Sequence, residues 1–218
     1  SAAYHLTLLG HDVVIRDNSP LAGGMMRYGI PSYRLPRRVL DAEIRRLHRL
    51  GVTFEQDHVV TDLQVEMAED GFDAAFVAVG AQVGKRAYVP AGESAKIVDA
   101  VSLLRDMEGE ERPRLGRRVV VYGGGNTAMD AARTAKRLGA EEAIVVYRRT
   151  RDKMPAHYFE VEEAMQEGVM IKWLSTIKQA GESSITIEKM ELDSSGFPQP
   201  TGEIETLEAD SVVLALGQ

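Results

Sequence analysis

Short apolar runs alternate along the chain with longer stretches of helical periodicity, and this alternation predicts an α/β protein built on parallel sheets. Runs rich in β-branched or small apolar residues predict buried strands at residues 11–15, 72–80, 116–122, 143–147, 170–174 and 211–217. Apolar positions three or four residues apart predict helices at residues 1–10, 37–50, 97–107, 129–138 and 158–166. Residues 184–192 and 204–207 alternate apolar and polar positions, which predicts an antiparallel hairpin or meander with turns at 195–196 and 201–202.

The helical periodicity also predicts which positions of each helix face the interior. Helix by helix, these are Ala2, Leu6 and Leu9; Leu40, Ile44 and Leu47; Ala100, Leu103 and Leu104; and Val161, Ala164 and Met165. The acidic residues near the last helix are predicted to face solvent: Glu160, Glu162, Glu163 and Glu167.

The strongest chemical signal is the run Gly-Gly-Gly-Asn-Thr-Ala at residues 123–128, which follows a predicted strand and opens a predicted helix. It is a G-x-G-x-x-A fingerprint inside a βαβ unit, the context that a dinucleotide site requires. Gly123 permits the tight turn, Gly125 lets the backbone approach a diphosphate, and Ala128 lets helix and strand pack closely. The positive end of the helix dipole would face the phosphates, and Thr127 would add a hydroxyl donor. The alternative is a glycine-rich turn that binds no ligand.

The end of the next predicted strand indicates which dinucleotide is bound. An NAD site places an acid there for the ribose 2′-hydroxyl. This chain instead has Arg148 and Arg149, whose forked donors suit a 2′-phosphate, with Arg151 as a weaker candidate. The pair predicts NADPH rather than NADH, and the alternative is a basic surface loop.

The first 36 residues carry a second set of candidates. The first helix and strand resemble the second half of a nucleotide-binding βαβ unit, whose first strand and glycine turn would precede residue 1. Asp17 follows that strand, where such a unit places the carboxylate that binds a ribose diol; a turn-forming Asp is the alternative. Residues 23–36 combine paired glycines with Arg27 and Arg34, which suits either a flat phosphorylated ligand or a solvated loop.

Composition narrows the classes of function. The 218 residues contain no cysteine, which excludes disulfide frameworks, cysteine-ligated clusters and thiol chemistry within them. The 26 basic and 33 acidic residues give a net charge of −7, which argues against a nucleic-acid partner. No apolar run reaches the roughly 18 residues needed to cross a membrane, and no signal-peptide pattern is present, so we expect a cytoplasmic location. We assign no metal site and no acid–base catalytic residue.

Residues 23–36 resemble the GG-x-x-R-Y-G-I-P-x-[FY]-R-L-P signature of the glutamate synthase small-subunit family, and the similarity continues through residues 39–44 and 50–52. These proteins are flavoprotein NADPH oxidoreductases, to which the flavin and NADPH part of dihydropyrimidine dehydrogenase is related. The resemblance implies FAD contacts at Asp17, Gly24, Met25, Met26, Arg27, Arg34, Val60, Ala78 and Gly80. It implies NADP contacts at Gly123, Gly124, Gly125, Asn126, Thr127, Ala128, Arg148 and Arg149, and a nicotinamide side lined by Ala215, Leu216 and Gly217.

The expected architecture is two Rossmann-like dinucleotide-binding domains in three layers, with a small antiparallel meander. A partial FAD domain would occupy residues 1–85, a linker with a short helix 86–115, and an NADPH domain 116–218. Hydride would pass from NADPH to FAD and electrons onward to an accepting subunit or iron–sulfur domain. Because the first glycine turn is missing, we expect this stretch alone to retain NADP(H) but not FAD. A non-catalytic NADP(H)-binding regulatory module is the alternative, against which the flavin-like segment argues.

Overall fold

The computed structural model describes residues 1–81, 89–90, 96–109 and 111–217. The chain divides into two units, Ser1–Gly80 and Ala81–Gln218, called here unit 1 and unit 2. The predicted boundary at residue 85 and residues 86–88 and 91–95 of the predicted linker lie outside the described residues. Within those ranges, no helix is both long and apolar enough to cross a membrane.

Unit 1 has a small parallel sheet in which β1 (Val14–Arg16) pairs with β2 (Thr53–Glu55). Its helices are α1 (Ala2–Leu8), α2 (Met25–Tyr28), α3 (Arg37–Arg49) and α4 (Leu63–Asp70). The predicted inward position Leu40 of α3 is buried. In α1 the prediction is wrong, because Ala3 is buried whereas Leu6 and Leu9 are exposed. The helix ends at Leu8, so Leu9 is its C-cap and no longer part of a helical face.

The strand predicted at residues 72–80 is also wrong. These residues adopt no strand conformation, and the side chains of Phe76, Val77 and Val79 are exposed. A buried parallel strand needs a neighbouring strand and cover on both faces. In the described part of unit 1, the sheet consists of β1 and β2, so apolar composition alone does not make this run a strand.

Unit 2 contains a five-stranded parallel sheet in the order β3-β10-β4-β5-β6. The strands are β3 (Ile97–Asp99), β4 (Arg118–Tyr122), β5 (Glu142–Val146), β6 (Val169–Lys172) and β10 (Ser211–Leu214). The helices are α5 (Ala100–Asp106), α6 (Asn126–Arg137) and α7 (Tyr158–Gln166), with a 3-10 turn at Arg151–Lys153. Residues 97–99, predicted as helix, instead pair with β10, and the helix begins afterwards because the Asp99 side chain caps it by accepting from Ser102 N.

The remaining strands of unit 2 form an antiparallel meander of β7 (Ser175–Ala180), β8 (Ser184–Leu192) and β9 (Pro198–Glu208). The predicted turn at 201–202 is wrong, because these residues lie within β9 beside a register shift. Gly202 there has φ +85, a conformation that suits a bulge rather than a chain reversal. The sequence pattern did not predict β7.

The central strand β4 explains the layering of unit 2. Val119 and Val121 pack with the alanine-rich side of α6, whereas Val120 packs on the opposite face with Ile185 and Ile187 of the meander. Alternate side chains of a strand point to opposite faces, so a continuous β-branched run serves both cores. The expected α/β fold with parallel sheets and an antiparallel meander is confirmed.

In helix α7 two predictions about which residues are buried are wrong. Val161 and Ala164 are buried as predicted, but Met165 is exposed and Glu160 is completely buried. Glu160 faces α6, where its carboxylate lies 3.7 Å from the guanidinium of Arg133. A buried carboxylate is stable only when a cation or hydrogen-bond donors compensate it, and periodicity in α7 alone does not reveal the cation on α6.

Candidate functional site

The strand order of unit 2 defines a crevice at the carboxyl end of β4. From β4 the chain winds through α6 to β5 and onward to β6, whereas β10 and β3 lie on the other side of β4. Open parallel sheets bind ligands where the order reverses in this way, beyond the carboxyl ends of the strands. The glycine turn at residues 123–126 follows β4, and residues 215–217 follow β10, so both predicted segments border this crevice.

The three glycines of the turn serve three different purposes. A methyl group at Gly123, which has φ +150, would collide with the carbonyl oxygen of Ala215. A methyl group at Gly124 would collide with the ring of Tyr147. At Gly125 no atom of the described residues lies within 4 Å of the position that a Cβ would occupy. The fold itself therefore requires the first two glycines, whereas the third leaves free space beside the backbone.

The N-terminus of α6 opens directly from this free space. Ala128 and Met129 donate to the carbonyl of Gly125 at 2.9 and 3.3 Å, which begins the helical hydrogen bonding. The amides of Asn126 and Thr127 lie between this first acceptor and the first helical donor, so the helix itself offers them no acceptor, and both residues are half-buried. Ala128 is completely buried, as its predicted packing role requires.

Asn126 has a contact within the protein that the sequence did not predict. Its side-chain Oδ1 accepts a hydrogen bond from the backbone amide of His157 at 2.9 Å. The amide of Ala156 donates to the carbonyl of Gly124 at 3.0 Å. The loop before α7 is thus fastened to the glycine turn at two points.

The predicted arginine pair lies at the end of β5. Arg148 is exposed and Arg149 is half-buried, and neither forms an ion pair within the described ranges. The Nε of Arg149 is buried without a hydrogen-bond partner among the described residues. Arg151, in contrast, pairs with Glu162 and lies 4.8 Å over the ring of Tyr158. Two of the three cations are therefore available to a ligand.

Tyr147 connects the arginine pair with the glycine turn. Its ring packs against Gly124, and its hydroxyl donates to the carbonyl of Lys153 at 2.6 Å. Burial raises the pKa of this phenol, and the positive charges of Arg148 and Arg149 oppose the rise.

The segment after β10 lies against the same turn. Ala215 is buried, donates from its amide to the carbonyl of Tyr122 at 2.8 Å, and contacts Gly123. Leu216 is half-buried and Gly217, with φ +89, is exposed. The structure therefore brings Ala215 next to the glycine turn and places the two following residues progressively closer to solvent.

In unit 1 the carboxylate of Asp17 forms a local turn. Its Oδ1 accepts from the backbone amide of Ser19 at 2.9 Å, and the Asp17 carbonyl accepts from His58 N at 3.0 Å. This is the turn-forming arrangement that the sequence left open as an alternative. The ribose role of Asp17 stays a prediction.

The other predicted FAD residues near α2 fall into two groups. Gly24, with φ +51 and nothing within 4 Å of a Cβ position, is followed by the exposed side chains of Met25 and Met26. Arg27 is buried, donates to the carbonyl of Ala22 at 2.7 Å, and pairs with Asp41. Gly24 therefore leaves space for a ligand, whereas Arg27 is engaged within the fold. Arg34 is half-buried in the loop before α3.

The three remaining FAD candidates are Val60, Ala78 and Gly80. All of them are exposed and lie in irregular segments of unit 1. The structure therefore brings none of the three into a defined pocket with Gly24, and their assignment rests on the family resemblance.

Arg37 is a residue of unit 1 that sequence reasoning missed. Its guanidinium donates to the backbone carbonyls of Arg27 at 2.7 Å, Ile30 at 2.8 Å, Leu35 at 3.0 Å and Met26 at 3.4 Å. It thereby holds together the loop that follows Gly24. An arginine that opens a helix directly after a glycine- and proline-rich loop could have suggested this role, since five donors suit a loop with many free carbonyls.

Comparison with known proteins identifies the class that this fold and turn define. Residues 1–218 match the family described as pyridine nucleotide-disulphide oxidoreductase, and the chain belongs to that family. NADPH and FAD, the cofactors expected from the sequence, are those of this group of oxidoreductases. The 218 residues of this chain include no cysteine, so they cannot carry out disulphide chemistry themselves.

Two relatives and one solved structure show the range of similarity. The chain is 40% identical over 234 residues to the NADP(+)-dependent formate dehydrogenase subunit beta of Moorella thermoacetica, covering 100% of this chain and 33% of that protein. It is 34% identical over 240 residues to a putative glutamate synthase (NADPH) small chain of Cereibacter sphaeroides, covering 100% and 57%. FprA of Mycobacterium tuberculosis in complex with NADPH superposes with a TM-score of 0.79 at 18% identity, over 99% of this chain and 67% of that one. The chain thus spans about a third to somewhat over half the length of these two relatives.

Proposed function

We propose that this chain belongs to a flavoprotein oxidoreductase subunit that passes hydride from NADPH to FAD and electrons onward to a partner, as in the glutamate synthase small subunit. The observation that carries the proposal is the open space at Gly125, at the N-terminus of α6, near the arginine pair at the end of β5. A cation pair that has no ion-pair partner among the described residues suits a 2′-phosphate at that position, and a helix N-terminus suits a diphosphate.

In this proposal the residues of unit 2 bind and orient NADPH. The first-turn amides of α6 hold the diphosphate, Arg148 and Arg149 hold the 2′-phosphate, and residues 215–217 border the nicotinamide. The side chain of Asn126 acts through its bond to His157 N, whereas its backbone amide is one of these first-turn donors. Hydride donation by the nicotinamide and electron storage by the flavin are the chemistry that the cofactors supply.

Unit 1 supplies the FAD contacts in this proposal. The free space at Gly24 and the exposed Met25 and Met26 fit a flavin nucleotide approaching the backbone. Arg37 stabilises the conformation of that loop. We assign Arg34, rather than Arg27, to an FAD phosphate. Arg27 contributes mainly by anchoring the loop to Asp41.

The accepting partner is an electron-accepting subunit or an iron–sulfur domain. Relatives named as a formate dehydrogenase beta subunit, an NADPH-Fe(3+) oxidoreductase beta subunit and a glutamate synthase small chain share this stretch of sequence. Their names share the nicotinamide dinucleotide and differ in the second reactant. This contrast supports a common NADPH-oxidising part joined to different acceptors.

The binding step is tested by titration calorimetry of the 218-residue chain with NADP+ and NAD+. We expect tighter binding of NADP+, and the double variant Arg148→Glu/Arg149→Glu should weaken NADP+ binding by at least about 100-fold, because two or more charge-assisted hydrogen bonds are lost. Arg45→Glu/Arg49→Glu is the matched control, since these exposed arginines of α3 change the net charge equally. No heat with wild-type protein, or unchanged affinity in the first variant, contradicts the proposal.

The regulatory alternative is tested by colour. A full-length preparation that is yellow and bleaches with NADPH under anaerobic conditions supports the enzyme. A colourless full-length protein that still binds NADP+ supports a non-catalytic regulatory module instead.

A further inference from the structure

Tyr147 joins the two parts of the candidate NADPH site, because its ring contacts the glycine turn and the arginine pair follows it in the chain. Its ring packs so closely on Gly124 that no side chain fits there, and its hydroxyl donates to the carbonyl of Lys153 at 2.6 Å. On its other side the ring meets Trp173 edge to face, with centroids 6.4 Å apart. Its backbone amide donates to Lys172 and its carbonyl accepts from Ser175, each at 3.0 Å. The ring is therefore held from several directions.

Tyr147 connects the two proposed phosphate subsites. Gly124 belongs to the turn proposed for the diphosphate, and Arg148 and Arg149 directly follow Tyr147 in the chain. We propose that Tyr147 is a positioning residue that sets the separation between the glycine turn and the guanidinium pair, and thereby the preference for a 2′-phosphorylated dinucleotide. This inference rests on the proposed function of unit 2.

The energetic reason lies in the difference between the two dinucleotides. NAD+ has no 2′-phosphate for the guanidinium pair to bind, so its affinity depends little on where the guanidinium groups lie. NADP+ must engage both subsites at once, and misplaced anchoring groups lose much of their binding energy. Arginine side chains are flexible, and the side chain of Arg148 is exposed. A rigid residue directly before the arginine pair, such as Tyr147, therefore determines how well NADP+ can bind both subsites at once.

Two substitutions separate the contributions of the ring and the hydroxyl. Tyr147→Leu removes the ring from Gly124, and Tyr147→Phe keeps the ring but removes the bond to Lys153. We expect Tyr147→Leu to weaken NADP+ binding by at least about 10-fold with less than about 3-fold change for NAD+, and Tyr147→Phe to give a smaller change in the same direction. Tyr4→Leu, which changes a half-buried tyrosine of α1 in unit 1, is the matched control and should leave the NADP+/NAD+ ratio of affinities unchanged.

A double-mutant cycle distinguishes positioning from a general loss of structure. Arg148→Ala should weaken NADP+ binding strongly in the wild-type background and much less in the Tyr147→Leu background, because the guanidinium is then already misplaced. The probe 2′,5′-ADP, which carries a phosphate for each subsite, should show the same coupling, and 5′-AMP should show none. Trp173, the single tryptophan of the chain, reports through its fluorescence whether each variant is folded around the site.

The possible outcomes separate this inference from the proposed function. If the wild-type chain binds neither dinucleotide, the proposed function of unit 2 is wrong and the inference with it. If the wild type prefers NADP+ and Tyr147→Phe and Tyr147→Leu both keep that preference, or the effects with Arg148→Ala are additive, only the role of Tyr147 is overturned. Should Tyr147→Leu prove unfolded, Tyr147→Phe and its cycle with Arg148→Ala decide the question.

Discussion

At the scale of single residues, the glycines of the turn differ in whether the fold or a ligand explains them. Gly123 and Gly124 are needed because Ala215 and Tyr147 occupy the space that a side chain would need, whereas Gly125 has no such neighbour. A glycine required only for packing tells nothing about a ligand. Where a glycine lies beside free space at a helix N-terminus, packing does not explain the glycine, but a bound ligand would.

This difference gives a matched pair of substitutions. Gly125→Ala should change the free energy of unfolding by no more than about 0.5 kcal/mol, because the added methyl meets nothing. It should weaken NADP+ binding by at least about 10-fold, since the methyl occupies the space of the diphosphate. Gly124→Ala should lower the free energy of unfolding by about 1–3 kcal/mol, because the Tyr147 ring must move. Chemical denaturation and calorimetry measure the two effects, and unaltered NADP+ affinity in Gly125→Ala would contradict the proposed site.

The sequence assigned roles to the residues of this turn but did not predict all of their packing contacts. Spacing and flanking elements assigned tasks to Gly123, Gly125 and Ala128 because these follow from local backbone geometry. The contact of Tyr147 with Gly124 joins the end of β5 to the turn after β4, and no local pattern encodes it. Arg37 was missed for the same reason, since its four carbonyl acceptors are spread over ten residues, from α2 into the loop that follows it.

At the scale of elements, long regular segments with a clear period were the predictable ones. The prediction for α7 matches the observed Tyr158–Gln166 because three apolar positions recur with helical spacing. The run at 72–80 has a buried strand's composition but no strand in the structure, since pairing depends on neighbours that composition does not specify. The prediction that Glu160 faces solvent was wrong because a cation on another helix, Arg133, compensates the buried carboxylate.

The packing of α6 on α7 depends on a buried cation. The side chain of Arg133 is 6% exposed and pairs with Glu163 and Glu167 at 2.7 Å, besides lying 3.7 Å from the completely buried Glu160. Arg137 pairs with the same Glu167, but its side chain is 46% exposed. Ion pairs of this second kind contribute little to stability because water screens them.

We therefore expect unequal effects from two similar substitutions. Arg133→Met should lower the free energy of unfolding by about 3–5 kcal/mol, because it leaves the carboxylate of Glu160 buried without this cation. Arg137→Met should lower it by less than about 1 kcal/mol. Urea denaturation measures both, and adding Glu160→Leu to Arg133→Met should restore part of the loss. Equal effects of the two single substitutions would show that burial of Arg133 is energetically unimportant.

At the scale of the whole molecule, the two units carry different kinds of support. Unit 2 has a parallel sheet, a reversal of strand order at β4 and a turn with free space, so its proposed dinucleotide rests on geometry as well as on family membership. The flavin role of unit 1 rests on the family match over residues 1–218 and on the loop around Gly24. The test of the whole protein must therefore observe both cofactors in a single reaction.

Anaerobic rapid mixing of the full-length protein with reduced dinucleotide provides that test. We expect the flavin absorbance to bleach faster with NADPH than with NADH at equal concentrations below saturation, because the 2′-phosphate adds binding energy through the arginine pair. Arg148→Glu/Arg149→Glu should abolish this preference by slowing the NADPH reaction, while the limiting rate at saturating NADH stays within about 3-fold of the wild type. Bleaching that is equally fast with both dinucleotides in the wild type would mean that the pair does not select the cofactor. A loss of the limiting rate with NADH as well would place these arginines in the hydride-transfer geometry rather than in 2′-phosphate recognition.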